Sequence, residues 1–111
     1  MAPIDLTLMT YHASNERAER FAFIENTTGW GKPLVMVPDK DDPTATATLT
    51  TTGVLVIRNK DTNMIITAFH ANMGQALAVW RSAMGTEKMP HSVWMQINYN
   101  NFTELWQKVA A

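Results

Sequence analysis

Two runs of β-branched and apolar residues separated by a short polar turn are the strongest constraint that this sequence places on its fold. The runs are Val54 to Lys60 and Met64 to His70, and the turn is Asp61-Thr62-Asn63. This arrangement predicts an antiparallel β-hairpin. We expect a three-residue loop with a bulge, because Asn63 tolerates the left-handed conformation required at the last loop position. A two-residue turn is the alternative, and it would shift the register by one residue.

Two segments before the hairpin extend the predicted sheet. Leu34 to Val37 is a compact apolar run bounded by Pro33 and Pro38, which is typical of a short edge strand. Residues 44–52 alternate largely between threonine and alanine, which favours a lightly packed strand because threonine is β-branched. A mobile loop of low complexity is the alternative for this second segment.

Helical periodicity predicts one helix before this sheet and one directly after it. The first covers residues 15–26 and follows Ser14, a residue type that caps helix N-termini. The second covers residues 73–84, begins after Asn72 and ends at Gly85. It has an apolar stripe that we expect to be buried as a unit: Met73, Leu77, Trp80 and Met84.

A third helix is predicted at residues 102–109, because Asn101 and Glu104 have the spacing of a capping box. The intervening segment, residues 90–99, fits either a strand or a helical turn.

The expected fold class is therefore α+β: an antiparallel sheet with an N-terminal helix and two C-terminal helices. At this chain length one domain spanning residues 1–111 is expected.

Composition argues against several functional classes. The chain has no cysteine, so a disulfide framework and a thiolate metal site are both excluded, and we expect a cytoplasmic location. No apolar run approaches the roughly 20 residues that span a bilayer, and no signal-peptide pattern is visible, so neither membrane insertion nor secretion is expected. Phosphate-binding glycine loops and paired metal-ligating histidines are absent, and we expect no cofactor and no metal.

The remaining chemistry-bearing residues lie in two groups. Those near the first helix are His12, Arg17 and Arg20, and those on the hairpin are Arg58, Lys60 and His70. With a three-residue hairpin loop, Arg58 faces Ile66 and the three hairpin groups share one face of the sheet, whereas a two-residue turn moves His70 to the other face. Two histidines with flanking cations are suited to cleaving RNA through its 2′-hydroxyl, since an imidazole can accept the hydroxyl proton and cations stabilise the phosphorane.

Residues 10–70 carry a resemblance to a known group. The strings that carry it are Tyr11-His12-Ala13, Glu16-Arg17-Ala18-Glu19-Arg20, the segment TTGVLVIRNK at 51–60 and the segment MIITAF at 64–69. This pattern resembles the barnase/EndoU/colicin/RelE-like group of small ribonucleases and toxins. The resemblance implies metal-independent RNA cleavage by His12 and Arg17 on the helix, Arg58 and Lys60 on the basic strand, and Thr67 on the closing strand. His70 is a further candidate without a firm counterpart in the group.

The chain departs from that group in two ways, and a different class of function competes with it. Its net charge is −1 rather than positive, and residues 72–111 form a C-terminal addition. Arg58 and Lys60 also suit a strand end that discourages edge pairing, and His70 suits a backbone-capping role. The alternative is a non-enzymatic accessory, immunity or virion-associated protein whose Trp- and Met-rich helices bind a protein partner or a second copy. That alternative predicts an apolar patch on the C-terminal helices and no convergent basic pocket. Separately, Trp30 is expected to be exposed, because it lies in a loop between two glycines.

Overall fold

Within residues 18–107, which are the part of the chain that the computed structural model describes, four antiparallel strands form a sheet in the order β1-β2-β3-β4. Helix α1 precedes the sheet, and helices α2 and α3 and a short 3-10 helix follow it. The elements are α1 (Ala18–Asn26), β1 (Pro33–Pro38), β2 (Ala45–Thr50), β3 (Val54–Asn59), β4 (Ile65–His70), α2 (Met73–Met84), α3 (His91–Phe102) and the 3-10 helix Leu105–Gln107. The predicted α+β fold is confirmed.

Helices cover both faces of the sheet, so that the core consists of two apolar clusters. On the α1 face, residues of α1 pack against β3 and β4: Phe21, Ile24, Val54, Val56, Ile65 and Ala68. On the opposite face, residues of α2 and α3 pack against β1, β2 and β3: Val35, Leu49, Leu55, Ala76, Trp80, Val93 and Ile97. Successive strand residues point to opposite faces, and for this reason Val54 and Leu55 belong to different clusters.

The hairpin follows the register expected for the three-residue loop over most of its length. Val54 pairs with His70 and Ile57 pairs with Thr67, and Asn63 has the predicted positive φ, of 63°. The register then shifts, so that Arg58 pairs with Ile65 rather than with Ile66. The strands end one residue earlier than expected on each side of the loop, because the Asn59 side chain accepts hydrogen bonds from two turn N–H groups.

The C-terminal helix lies earlier in the chain than predicted. Helix α3 covers His91–Phe102, whereas the expected helix at 102–109 is replaced by the short 3-10 helix as far as residue 107; residues 108–109 lie outside the described part. Asn101 does not cap a helix that follows it. Its amide oxygen accepts the N–H of Met73 at 2.6 Å and its nitrogen donates to the carbonyl of Ala71 at 3.1 Å. Asn101 thus supports the first turn of α2 from a neighbouring helix.

Helix α2 begins at the predicted cap, and its apolar stripe is only partly buried. Asn72 and Gln75 form a reciprocal capping box. Trp80 is buried and donates its indole N–H to the carbonyl of Glu87 at 2.7 Å, while Met73 and Leu77 are half-buried. The expectation for Met84 is wrong, because this last residue of α2 lies outside both clusters and is 41% exposed.

Trp30 also differs from its expected exposure. It is half-buried and packs edge-on against the ring of Phe21, with 5.5 Å between the ring centroids. The indole N–H donates to the Glu25 carboxylate at 3.4 Å. Trp30 therefore extends the cluster on the α1 face. The expectation that Trp30 is exposed, which was based on its loop position between two glycines, is wrong.

Candidate functional site

The structure separates the hairpin residues that the sequence placed together. Arg58 and His70 do lie on the same face of the sheet, as expected. However, His70 pairs with Val54, which is four positions along β3 from Arg58, so roughly 13 Å of strand separates the two at 3.3 Å per residue. The two residues therefore lie at opposite ends of the β3–β4 pairing. His12 and Arg17 lie outside the described residues.

Lys60 and Thr67 also lie apart from each other. Lys60 is exposed in the hairpin turn, where its backbone N–H donates to the carbonyl of Thr44 at 2.9 Å. Thr67 is half-buried on β4, and its hydroxyl accepts a hydrogen bond from the guanidinium of Arg20 at 3.4 Å. The helix arginine that reaches the sheet within residues 18–107 is therefore Arg20, which the resemblance does not include among its site residues.

His70 is part of the packed interior. It is 4% exposed, and its Nε2 lies 2.8 Å from the Thr28 hydroxyl. Its ring meets the ring of Phe23 edge-on, with 5.8 Å between centroids. Burial lowers the pKa of His70, since a desolvated imidazole disfavours the charged form. His70 therefore joins β4 to the loop after α1, and its contact is with a side-chain hydroxyl rather than with the backbone.

This burial predicts a pH dependence of stability. The folded-state pKa of His70 is lowered, so the unfolded chain binds the proton more readily. The contribution of His70 should be fully present above about pH 6.5, the pKa of an unperturbed histidine, and should be lost as the pH falls toward the folded-state value. Urea unfolding at several pH values should show a shallower loss below that pH for His70→Gln than for the wild type. Parallel curves for the two proteins would contradict this assignment.

A groove of about 270 Å³ lies beside His70. Its walls combine aromatic and polar side chains from α1, β4, α2 and the 3-10 helix: Arg20, Phe23, Phe69, His70, Asn72, Gln75, Leu105 and Trp106. Of the cations and histidines identified in the sequence, Arg20 and His70 are therefore the ones that line this groove together. Across the described ranges, no group of three or more histidine, aspartate, glutamate or cysteine side chains could hold a metal ion.

The second candidate site is the outward surface of α3. Helix α3 packs on the sheet through Val93, Ile97 and Asn100. On the opposite side of the helix, large uncharged side chains are exposed at the spacing i, i+4, i+7: Met95 at 52%, Tyr99 at 61% and Phe102 at 85%. We call these three residues the outer face of α3. Trp94 lies beside this face on the same helix and is also exposed, whereas Trp106, in the 3-10 helix, lines the groove beside His70.

This surface carries no formal charge. Residues 89–103 contain no aspartate, glutamate, lysine or arginine. An exposed helical surface ordinarily carries charged residues opposite its apolar stripe, and α3 has apolar residues on both sides. The sequence signal for this site was an uncharged segment with apolar residues on two sides of one helix. Because the two sets of apolar residues overlap in sequence, the segment shows no single helical stripe, and residues 90–99 were not predicted as a helix.

The helices of the described residues are all too short or too polar to cross a membrane. The resemblance to small ribonucleases stays a prediction, because two of its site residues, His12 and Arg17, lie outside the described part. No protein-family model, no curated protein and no solved structure matches this chain.

Proposed function

We propose that this protein is a non-enzymatic interaction module that binds a protein through the outer face of α3. The observation that carries the proposal is the exposure of Met95, Tyr99 and Phe102 on a helix without formal charge. Aromatic residues and methionine are enriched at protein interfaces, while lysine, glutamate and aspartate are depleted. The composition of this face therefore suits an interface that excludes water.

The outer face is not needed to hold α3 in place. On the inner side, Ile97 is fully buried in the core cluster, and the Asn100 amide donates to the carbonyl of Thr52 at 2.8 Å. Gln96 in turn donates to the oxygen of the Asn100 amide at 2.9 Å. Because these contacts fix the helix, folding does not explain three large exposed side chains on the other side. Binding does, since contiguous exposed apolar surface commonly marks an interaction site.

Within residues 18–107, the competing hypothesis of RNA cleavage rests on the groove that Arg20 and His70 both line. Arg58 lies at the other end of the β3–β4 pairing from His70, and the imidazole of His70 is only 4% exposed, which counts against its contact with a polynucleotide phosphate. The net charge of −1 also gives no general attraction for a polyanion.

A cytoplasmic location, suggested by the absence of cysteine, is part of the proposal of an interaction module.

Site-specific photo-crosslinking in the native cells tests the proposal. We expect benzoylphenylalanine at position Tyr99 or Phe102 to give protein adducts, because each side chain would lie against the bound partner. The matched control is the same probe at Met36, a large apolar residue on β1 that is 56% exposed. Adding Met95→Lys should remove the adducts at Tyr99, because a buried unpaired ammonium opposes binding.

The pattern of adducts decides the outcome. Adducts at the two α3 positions and none at Met36 would support the module. Equal labelling at Met36 would show that exposed apolar residues of this protein crosslink without selectivity, and the absence of protein adducts at both α3 positions would overturn the proposed function.

A further inference from the structure

We infer that the partner is a second copy of this chain, with the two α3 helices packed antiparallel about a two-fold axis. The inference rests on the proposed function, because it names the occupant of the same surface.

The charge of the surface favours its own copy. A partner selected by ion pairs would find no opposite charge between residues 89 and 103. Two identical uncharged surfaces meet without like-charge repulsion, and a two-fold interface must be self-complementary. Asn98, exposed at the edge of the outer face, fits this requirement, since a neutral amide both donates and accepts hydrogen bonds and can pair with the same amide of another copy.

The order of side chains along α3 gives a register for the pair. If the axis passes between Asn98 and Tyr99, it also lies midway between Met95 and Phe102. In an antiparallel arrangement, Met95 then meets the partner's Phe102, and this contact occurs twice. A thioether against an aromatic ring is a favourable contact.

The area suits a weak dimer. The exposed parts of the outer face and of the neighbouring Trp94 amount to roughly 500 Å² per copy, taking each of these large side chains as about 150–250 Å². Stable interfaces bury about 800 Å² on each partner. Because this area is below that of stable interfaces, we expect weak, reversible dimerisation in which the outer face supplies most of the contact.

Sedimentation equilibrium of the purified 111-residue chain tests the dimer. We expect a monomer–dimer equilibrium between about 1 and 200 µM, and we expect Phe102→Lys to weaken it at least about tenfold, as for an interface hot spot. Phe102 is 85% exposed, so this variant should fold, and circular dichroism would check that it does. Met36→Lys adds the same charge at an exposed residue outside the outer face of α3 and should leave the equilibrium unchanged.

A double variant tests the antiparallel register. Met95→Lys and Phe102→Glu should each weaken the dimer, and the two together should restore at least part of the affinity, because the new ammonium faces the new carboxylate of the other copy. The two positions are seven residues apart on one helix, beyond the three- or four-residue spacing at which side chains pair within a helix. Restoration would therefore report contact between copies. A double variant no tighter than the single variants would overturn this register.

The remaining outcomes separate this inference from the proposed function. A dimer that persists unchanged in Phe102→Lys would place the contact elsewhere and overturn the inference. A chain that stays monomeric at every concentration, but crosslinks a different protein from position Tyr99, would overturn the second copy as partner while leaving the module intact. A monomeric chain without such adducts would overturn both.

Discussion

Replacing Ile97 by alanine is expected to lower the free energy of unfolding by about 2–5 kcal/mol, whereas replacing Phe102 should change it by less than about 0.5 kcal/mol. The two residues lie on opposite sides of α3. Ile97 is fully buried in the cluster between α3 and the sheet, while Phe102 is 85% exposed. Truncating Ile97 loses apolar burial and leaves a cavity, but truncating Phe102 removes atoms that already contact water.

Urea unfolding followed by far-ultraviolet circular dichroism measures this difference. The experiment requires a protein concentration at which the chain is monomeric, because dimerisation would add binding free energy to the apparent stability. If Phe102→Ala destabilised the monomer as strongly as Ile97→Ala, the outer face would have a role in folding. The exposed side chains would then need no binding partner to explain them.

The hairpin could be predicted because its determinants are local. Asn63 provides the positive φ of the turn, and β-branched runs flank it within a few residues. Asn72 and Gln75 likewise mark the start of α2 within one turn of helix. The shift in pairing at Arg58 was not predictable in detail, since it depends on where the turn hydrogen bonds end the strands.

The C-terminal helices could not be placed in the same way, because their determinants are distant in sequence. Asn101 has the residue type of a helix cap, but it binds the N–H of Met73, which lies 28 positions earlier in the chain. Helix α3 also lacks the one-sided apolar pattern that marks an amphipathic helix, since Ile97 and Tyr99 point to opposite sides of it. Only the packed structure distinguishes its core side from its outer side.

At the candidate site, too, the sequence predicted the residue type but not its surroundings. The sequence identified His70 as a residue able to transfer protons, but that ability requires access to a substrate. Phe23 and Thr28 pack against the imidazole, which is only 4% exposed, and they lie more than forty positions away in sequence. The hairpin pattern therefore supplied the position of the histidine on the sheet, while its burial and lowered pKa depend on the loop after α1.

The close approach of α3 to the turn between β2 and β3 leads to the second large effect, at Gly53. This glycine has a φ of +83°, and a Cβ atom added to it would lie 2.9 Å from the Asn100 amide nitrogen and 2.9 Å from a side-chain carbon of Ile97. Both neighbours are fully buried. Gly53→Ala should therefore combine the cost of a left-handed alanine with overpacking, and should push α3 away from the sheet.

Gly29 offers a matched control for this substitution. Its φ is +74°, but a Cβ atom added there would meet nothing within 4 Å. Gly29→Ala should cost about 1–2 kcal/mol for the left-handed backbone alone, and Gly53→Ala should cost about 1–3 kcal/mol more because of the added clash. Urea unfolding of the two variants beside the wild type measures the difference. Equal losses would mean that α3 does not pack this closely on the β2–β3 turn, and the inner contacts that free the outer face for binding would then have to be reassigned.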